Sequence, residues 1–158
     1  MRSISAGEEL ASTLPWADVV IDVQGPFTRS EEGHQYVLSY HCVKLRVPKI
    51  VSFKSLQPGY FSRALVECVM RAGSMPDVVR SDRGPEMKNA IMKELTSIGM
   101  DATRLFGAAF TPRHQGMGER GHALMAIHHN ILMNAVCQAF PQEWPALLPA
   151  VELSLIHI

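Results

Sequence analysis

"VVRSDRGPEM", residues 78–87, changes character halfway along. Val78 and Val79 are β-formers, whereas Gly84-Pro85 marks a turn beyond which apolar residues recur at helical spacing. The change predicts that Asp82 stands at the mouth of a strand, where the chain swings into a helix. A desolvated carboxylate there is costly unless something positive lies against it. The nature of that positive partner governs the functional reading.

Upstream of this stretch, "PGYFSRALVECVMRAG" (58–73) sets Phe61, Leu65, Cys68, Val69 and Ala72 on one helical stripe and stops at Gly73. Earlier still, "WADVVIDV" (16–23) is apolar on both faces, as a central strand covered on both sides must be, and Gly25-Pro26 ends it. "QYVLSYHCV" (35–43) and "LRVPKIVSF" (45–53) are two more β-rich runs. They predict a three-stranded antiparallel start, with Pro48 placing the third strand at an edge or a bulge.

Downstream, "GPEMKNAIMKELTSIGM" (84–100) predicts a helix with Met87, Ile91, Leu95 and Ile98 on one face. "DATRLFGAA" (101–109) reads as a fifth strand and "TPRHQGMG" (111–118) as a polar, glycine-rich loop. A long helix follows from Glu119 to about Phe140, carrying Leu124, Ile127, Ile131 and Ala135 inward, and "PQEWPALLPAVE" (141–152) begins another. The order β-β-β-α-β-α-β-α-α implies an α/β fold, a mixed five-stranded sheet with helices on its faces. Trp16 and Trp144 read as core anchors.

A chain of 158 residues suits one domain, and 47% hydrophobic against 19% charged residues excludes a disordered tail. Fifteen basic and fifteen acidic residues cancel, so any hold on nucleic acid must come from local patches. Cys42, Cys68 and Cys137 lie far apart without metal-ligand spacing; they read as buried apolar residues of a reducing compartment, and no zinc is expected. The lack of a membrane-length apolar run or a hydrophobic leader predicts an intracellular protein. Residues 1–14 read as a linker and 15–152 as the domain. The last six, "LSLIHI" (153–158), back-translate as CTG TCT CTT ATA CAC ATC, like the transposon mosaic end used as a sequencing adapter. They read as a non-native tail, a natural strand being the alternative.

Three acids occupy positions where a fold normally avoids charge: Asp22 at the end of the first strand, Asp82 at the end of the fourth, and Glu119 at the start of the long helix. Each has an ordinary reading alone, as turn former, helix cap or first-turn acid complementing the dipole. Together they point elsewhere. Strand one and the strand after a crossover commonly lie side by side, so Asp22 and Asp82 could meet, and a helix start brought over them would add Glu119. Converging carboxylates need hard cations between them, and oxygen-only ligation is what Mg²⁺ or Mn²⁺ takes. Two such ions, roughly 3.5–4 Å apart, serve in-line displacement at phosphorus. Gly116 and Gly118 let the chain pass close to a polynucleotide backbone.

"IDVQGPF" (21–27), "GSMPDVVRSDRGPEM" (73–87) and "TPRHQGMGERGH" (111–122) resemble, in order, the three motif blocks of retroviral and LTR-retrotransposon integrase catalytic cores. The 36 residues between Asp82 and Glu119 (119 − 82 − 1) lie close to the family's spacing. Gly116-Met117-Gly118 stands where the family often carries an asparagine, and Met87 where an aromatic is common. The resemblance implies a ribonuclease-H-like fold and a D,D,E metal triad of Asp22, Asp82 and Glu119. Both aspartates would ligate one ion, with Asp22 and Glu119 flanking a second. It also implies end-processing of element DNA and strand transfer into target DNA, a homo-oligomer, and a nuclear site of action.

Arg83, Arg113, His114, Gln115, Gly116 and Arg120 are the candidate DNA contacts, with internal salt bridges the alternative for Arg83 and Arg120. Lys44, Arg46, Lys49 and Lys54 read first as a solvated strand edge and second as a DNA contact. His122, His128 and His129 read as surface or hydrogen-bonded residues rather than metal ligands. Two other functions use the same residues: a non-catalytic DNA-binding or assembly remnant, and a cellular nuclease of the same fold.

Overall fold

The computed structural model describes residues 14–81, 84–97, 99, 109–112 and 119–156. Strands β1 (Asp18–Gln24), β2 (Tyr36–Cys42) and β3 (Val47–Phe53) come first, and β4 (Val78–Ser81) and β5 (Ala109–Pro112) follow. Across the sheet their order is β3-β2-β1-β4-β5. The first three pair antiparallel, as the short connections between them allow, while β1–β4 and β4–β5 are parallel. Parallel pairing needs a long crossover, and helix α1 (Pro58–Ala72) supplies it between β3 and β4. Helix α2 (Gly84–Ser97) links β4 to β5. Helix α3 (Glu119–Ala139), a short 3₁₀ turn (Trp144–Leu147) and helix α4 (Leu148–Ile156) complete the described chain.

The expected antiparallel start, central first strand and helix stop are all present. Gly73 ends α1 with φ 83°, and its N–H donates to the carbonyls of Val69 and Met70. The fifth strand occupies Ala109–Pro112, and 101–108, the rest of its expected span, lie outside the described residues. Thr111 and Pro112, read as loop, pair with Arg80 and Ser81 instead.

Two cores lie on opposite faces of the sheet. Val19, Ile21, Leu38, Tyr40, Val51 and Phe53 pack against Phe61, Leu65, Cys68 and Val69 of α1. The other core joins Val37 and Ile50 to Met133 and Cys137 of α3, Trp144, and Leu148, Val151 and Leu155 of α4. Both tryptophans are anchors, as expected: Trp144 is fully buried and donates to the Thr28 carbonyl at 2.7 Å, and Trp16 stacks on Tyr40. All three cysteines are buried and free. Burial pushes the Cys68 and Cys137 thiols upward, so both stay protonated and unreactive. Residues 153–156 continue α4 as helix, not strand, and Leu155 is buried in the second core.

Helix α3 is turned away from its predicted orientation. Ile127 and Ile131 are 56% and 60% exposed and Ala135 also faces solvent, while His129, Met133 and Cys137 point inward. No Asp, Glu, Lys or Arg occurs from Gly121 to Gln142, so apolar residues run along more than one side of this helix. Periodicity alone could not choose between the faces.

β3 is an edge strand, as Pro48 predicted, and the outward backbone groups of its central residue, Ile50, are occupied. Ile50 N–H donates to Glu152 Oε1 at 2.6 Å, and the Ile50 carbonyl accepts from Arg71 Nη1 at 3.0 Å. Arg71 and Glu152 are themselves paired at 3.0 Å, so α1 and α4 clasp the strand from opposite faces.

Met133→Ala should cost about 2–4 kcal/mol and Ile131→Ala under about 0.5 kcal/mol in urea denaturation, because only Met133 leaves a cavity. Equal costs would contradict this orientation of α3. Glu152→Ala should destabilise by roughly 2 kcal/mol, since it strands the Ile50 N–H and the Arg71 guanidinium together. Glu152→Gln, which keeps an acceptor, should lose less in the same measurement.

Candidate active site

Alternation along β1 puts Val19, Ile21 and Val23 against the α1 core and turns Asp18, Val20, Asp22 and Gln24 to the other face. That face carries polar groups. Asp18 forms a bidentate pair with Arg80 of β4, both contacts 3.0 Å and each side chain 14% exposed. Ser39 and His41 of β2, buried, alternate with Leu38 and Tyr40 and so share the face of Asp22. Ser39 lies opposite Asp22 in the register and donates its hydroxyl to the Asp22 carbonyl at 3.3 Å. Beyond it, the buried Oε1 of Gln24 has no hydrogen-bond partner among the described residues.

The strand ends in a turn that only glycine fits. Gly25 has φ 127°, and an added Cβ would lie 2.6 Å from the Gln35 carbonyl and 2.9 Å from the Tyr36 ring. The end of β1 is thereby drawn tightly against the start of β2.

β1 and β4 pair as Asp18–Val78, Val19–Val79 and Val20–Arg80, a constant offset of 60 positions. The expected neighbours in space are therefore neighbouring strands. Asp22 is half-buried near the end of β1, with two further strand residues after it. β4 closes at Ser81; Asp82 and Arg83 lie outside the described residues, as do Arg113, His114, Gln115 and Gly116. Glu119 and Arg120 are the first two residues of α3, and their side chains are likewise outside the description.

Asp22 offers carboxylate oxygens and Gln24 an amide oxygen on the same strand face. An all-oxygen donor set suits a hard divalent cation rather than zinc. Among the described residues no group of three or more His, Cys, Asp or Glu could hold a metal ion. Gln24 was not singled out by sequence reasoning, although it stands inside the first motif block; its signal was a polar residue on a strand whose alternate positions are apolar.

His129 departs from its expected surface or hydrogen-bonded role. It is 1% exposed, and its Nε2 has no hydrogen-bond partner among the described residues. Burial lowers its pKa from 6.5 to about 4, so the ring is neutral in the native protein at neutral pH. His128 beside it is half-buried, and the His122 side chain is outside the description.

No family model matches the chain. Among solved structures it is similar to the HTLV-2 integrase catalytic core domain in complex with magnesium, in a dimeric form. That match has a TM-score of 0.51 and 13% identity, covering 90% of this chain and 84% of that one. The catalytic core domain of BIV integrase is similar too, with a TM-score of 0.51 and 14% identity over 88% of this chain and 82% of that one. The fold is that of the retroviral integrase core, as the three motif blocks implied.

His129 makes a pH test of the α3 packing. The native ring resists protonation down to about pH 4, whereas the unfolded ring takes up a proton near its ordinary pKa of 6.5. Stability should therefore fall as pH drops from 6.5 toward 4, by up to roughly 3 kcal/mol from this group. Denaturation midpoints of the parent and of His129→Leu, compared at neutral pH and at the bottom of that window, should show the variant losing less.

Proposed function

We propose that this chain is the catalytic core of a divalent-metal-dependent polynucleotidyl transferase of the integrase type, acting on DNA. One observation carries the reading. β1 and β4 lie side by side and parallel at an offset of 60, and Asp22 plus 60 gives position 82, the second acid of the motif. The start of α3 at Glu119 adds the third acid of the motif in the expected order.

In this reading Asp22, Asp82 and Glu119 hold Mg²⁺ or Mn²⁺. The HTLV-2 core was solved with magnesium, and the oxygen donors at the end of β1 suit such an ion. When bound, the metal stabilises the charge that builds on the oxygens around phosphorus. The protein's own part is positional. The Asp18–Arg80 pair holds the β1–β4 register, the Ser39 hydroxyl ties the backbone at Asp22, and Gly25 packs the strand end down so that a polynucleotide can approach. End-processing uses water as nucleophile and strand transfer a DNA 3′-hydroxyl. In each, a new P–O bond forms as the bond to the departing 3′-oxygen breaks, and that oxygen leaves protonated. Arg83, Arg113, His114, Gln115, Gly116 and Arg120 contact the DNA backbone in this scheme, and a second copy of the chain joins the assembly. Action in the nucleus follows from the same reading.

Isothermal titration with Mn²⁺ should give binding heat that Asp22→Asn and Asp82→Asn each abolish. Strand transfer on branched DNA should fall more than ~100-fold in either variant, since even the outer partners of a metal site can be worth that much. Unchanged heat in both variants would remove the metal reading. Metal binding without transfer would mark a DNA-holding remnant instead.

A further inference from the structure

Of the four basic residues on and around β3, the register sends three away from the Asp22 end of the sheet or into other contacts. Cys42 pairs with both Val19 and Val47, so Lys44 and Arg46 lie in the turn at the end of the sheet opposite Asp22. Lys49 is engaged over the Trp16 ring at 5.8 Å. Lys54 alone follows the end of β3 that shares a row with β1: Gln24 pairs with Val37, and Val37 with Ser52. Two strand spacings separate that row's ends, roughly 10 Å.

At this place the surface is hollowed. A depression of about 170 Å³ is lined by Lys54, Arg63, Ser52, His34, Tyr60 and Glu67, among others. It adjoins a larger one of about 410 Å³ that shares Tyr60 and Arg63. Neither Lys54 nor Arg63 has an ion pair among the described residues. Ser52 Oγ and His34 Nδ1 are hydrogen-bonded at 2.6 Å, which fixes both groups on the rim. The acid of the larger hollow, Glu94, is turned onto Gly59, where an added Cβ would lie 2.8 Å from its Oε1. It sits at the first turn of α1, where the helix dipole favours negative charge. That leaves Glu67 as the one acid against two cations in the smaller hollow.

We infer that Lys54 and Arg63, with the Ser52 hydroxyl beside them, form a phosphodiester-binding subsite that holds the nucleic-acid backbone away from the reacting phosphate. The inference rests on the proposed function and extends it to a surface that no motif block covers. Asp22 pairs with Ser39 and Ser39 with Ile50, so Lys54 lies two strand spacings across and four residues along, roughly 17 Å from Asp22, or about five nucleotides at the 3.4 Å that duplex DNA advances along each strand. Contacts of this kind fix register on the duplex without reading its sequence.

The test is fluorescence anisotropy of a labelled duplex against salt concentration, in metal-free buffer. Lys54→Gln/Arg63→Gln should weaken binding on the order of tenfold at low salt and make the log K–log salt slope shallower by about 2. The charge-keeping pair Lys54→Arg/Arg63→Lys should hold the parent slope, and unchanged circular dichroism in both pairs separates charge loss from misfolding. Lys44→Gln/Arg46→Gln, at the other end of the sheet, should change the slope little. An unaltered slope in the Lys54/Arg63 glutamine pair, or an equal change in the Lys44/Arg46 pair, overturns the subsite while leaving the transferase reading intact. A parent protein that binds no DNA at any salt overturns both.

Discussion

The sheet depends on how β1 lies against β4, and one ion pair governs that. Asp18 and Arg80 meet through two 3.0 Å contacts in a setting where both are largely shielded from water. Parallel strands have no hairpin turn to fix their alignment, so a one-residue slip would send every side chain to the wrong face. A slip of two that carries Arg80 further along β1 would keep the faces but separate the charges, leaving each without its partner in a poorly solvated place. The pair thus penalises the error that hydrophobic burial tolerates. Asp22, four residues further along β1, inherits its position from that alignment.

The two faces of the sheet are chemically unequal. The α1 face is an apolar core of valine, leucine, isoleucine and aromatic side chains. The other face carries Asp18 with Arg80, then Asp22, Gln24, Ser39 and His41 among Val20 and Val37. Burying polar groups there costs stability unless each is paired. Most of these polar groups share the face on which the candidate acid Asp22 lies.

Much of this was legible before the structure. Short β-rich runs, Pro48, Gly25-Pro26 and Gly73 are local signals, and each acts where it stands: an edge strand, a tight turn, a left-handed helix stop. Asp22 stands out as a candidate because a charge on a two-sided apolar strand is conspicuous. The orientation of α3 was not. With Ile127 and Ile131 on one side and Met133 and Cys137 on another, the choice lay with distant partners, Trp144, Leu148 and Val151, that no window along α3 contains. His129 was misjudged for the same reason: its burial is a property of the sheet it packs on. β5 runs past its expected span into Thr111 and Pro112, because what pairs with β4 is set across space. Arg80 carries no signature of its pairing with Asp18, which only the register reveals.

The clasp on β3 bears on how such molecules coexist in a crowded solution. Along the outer margin of that strand, proline offers no N–H, and the next outward residue has both backbone groups occupied by Glu152 and Arg71. An incoming extended segment would find few free donors and acceptors to template upon, so this border does not seed fibre-like growth. The sheet therefore has a fixed width on that side, and encounters between neighbours are steered toward side-chain surfaces, which can be selective in a way that backbone zippering is not.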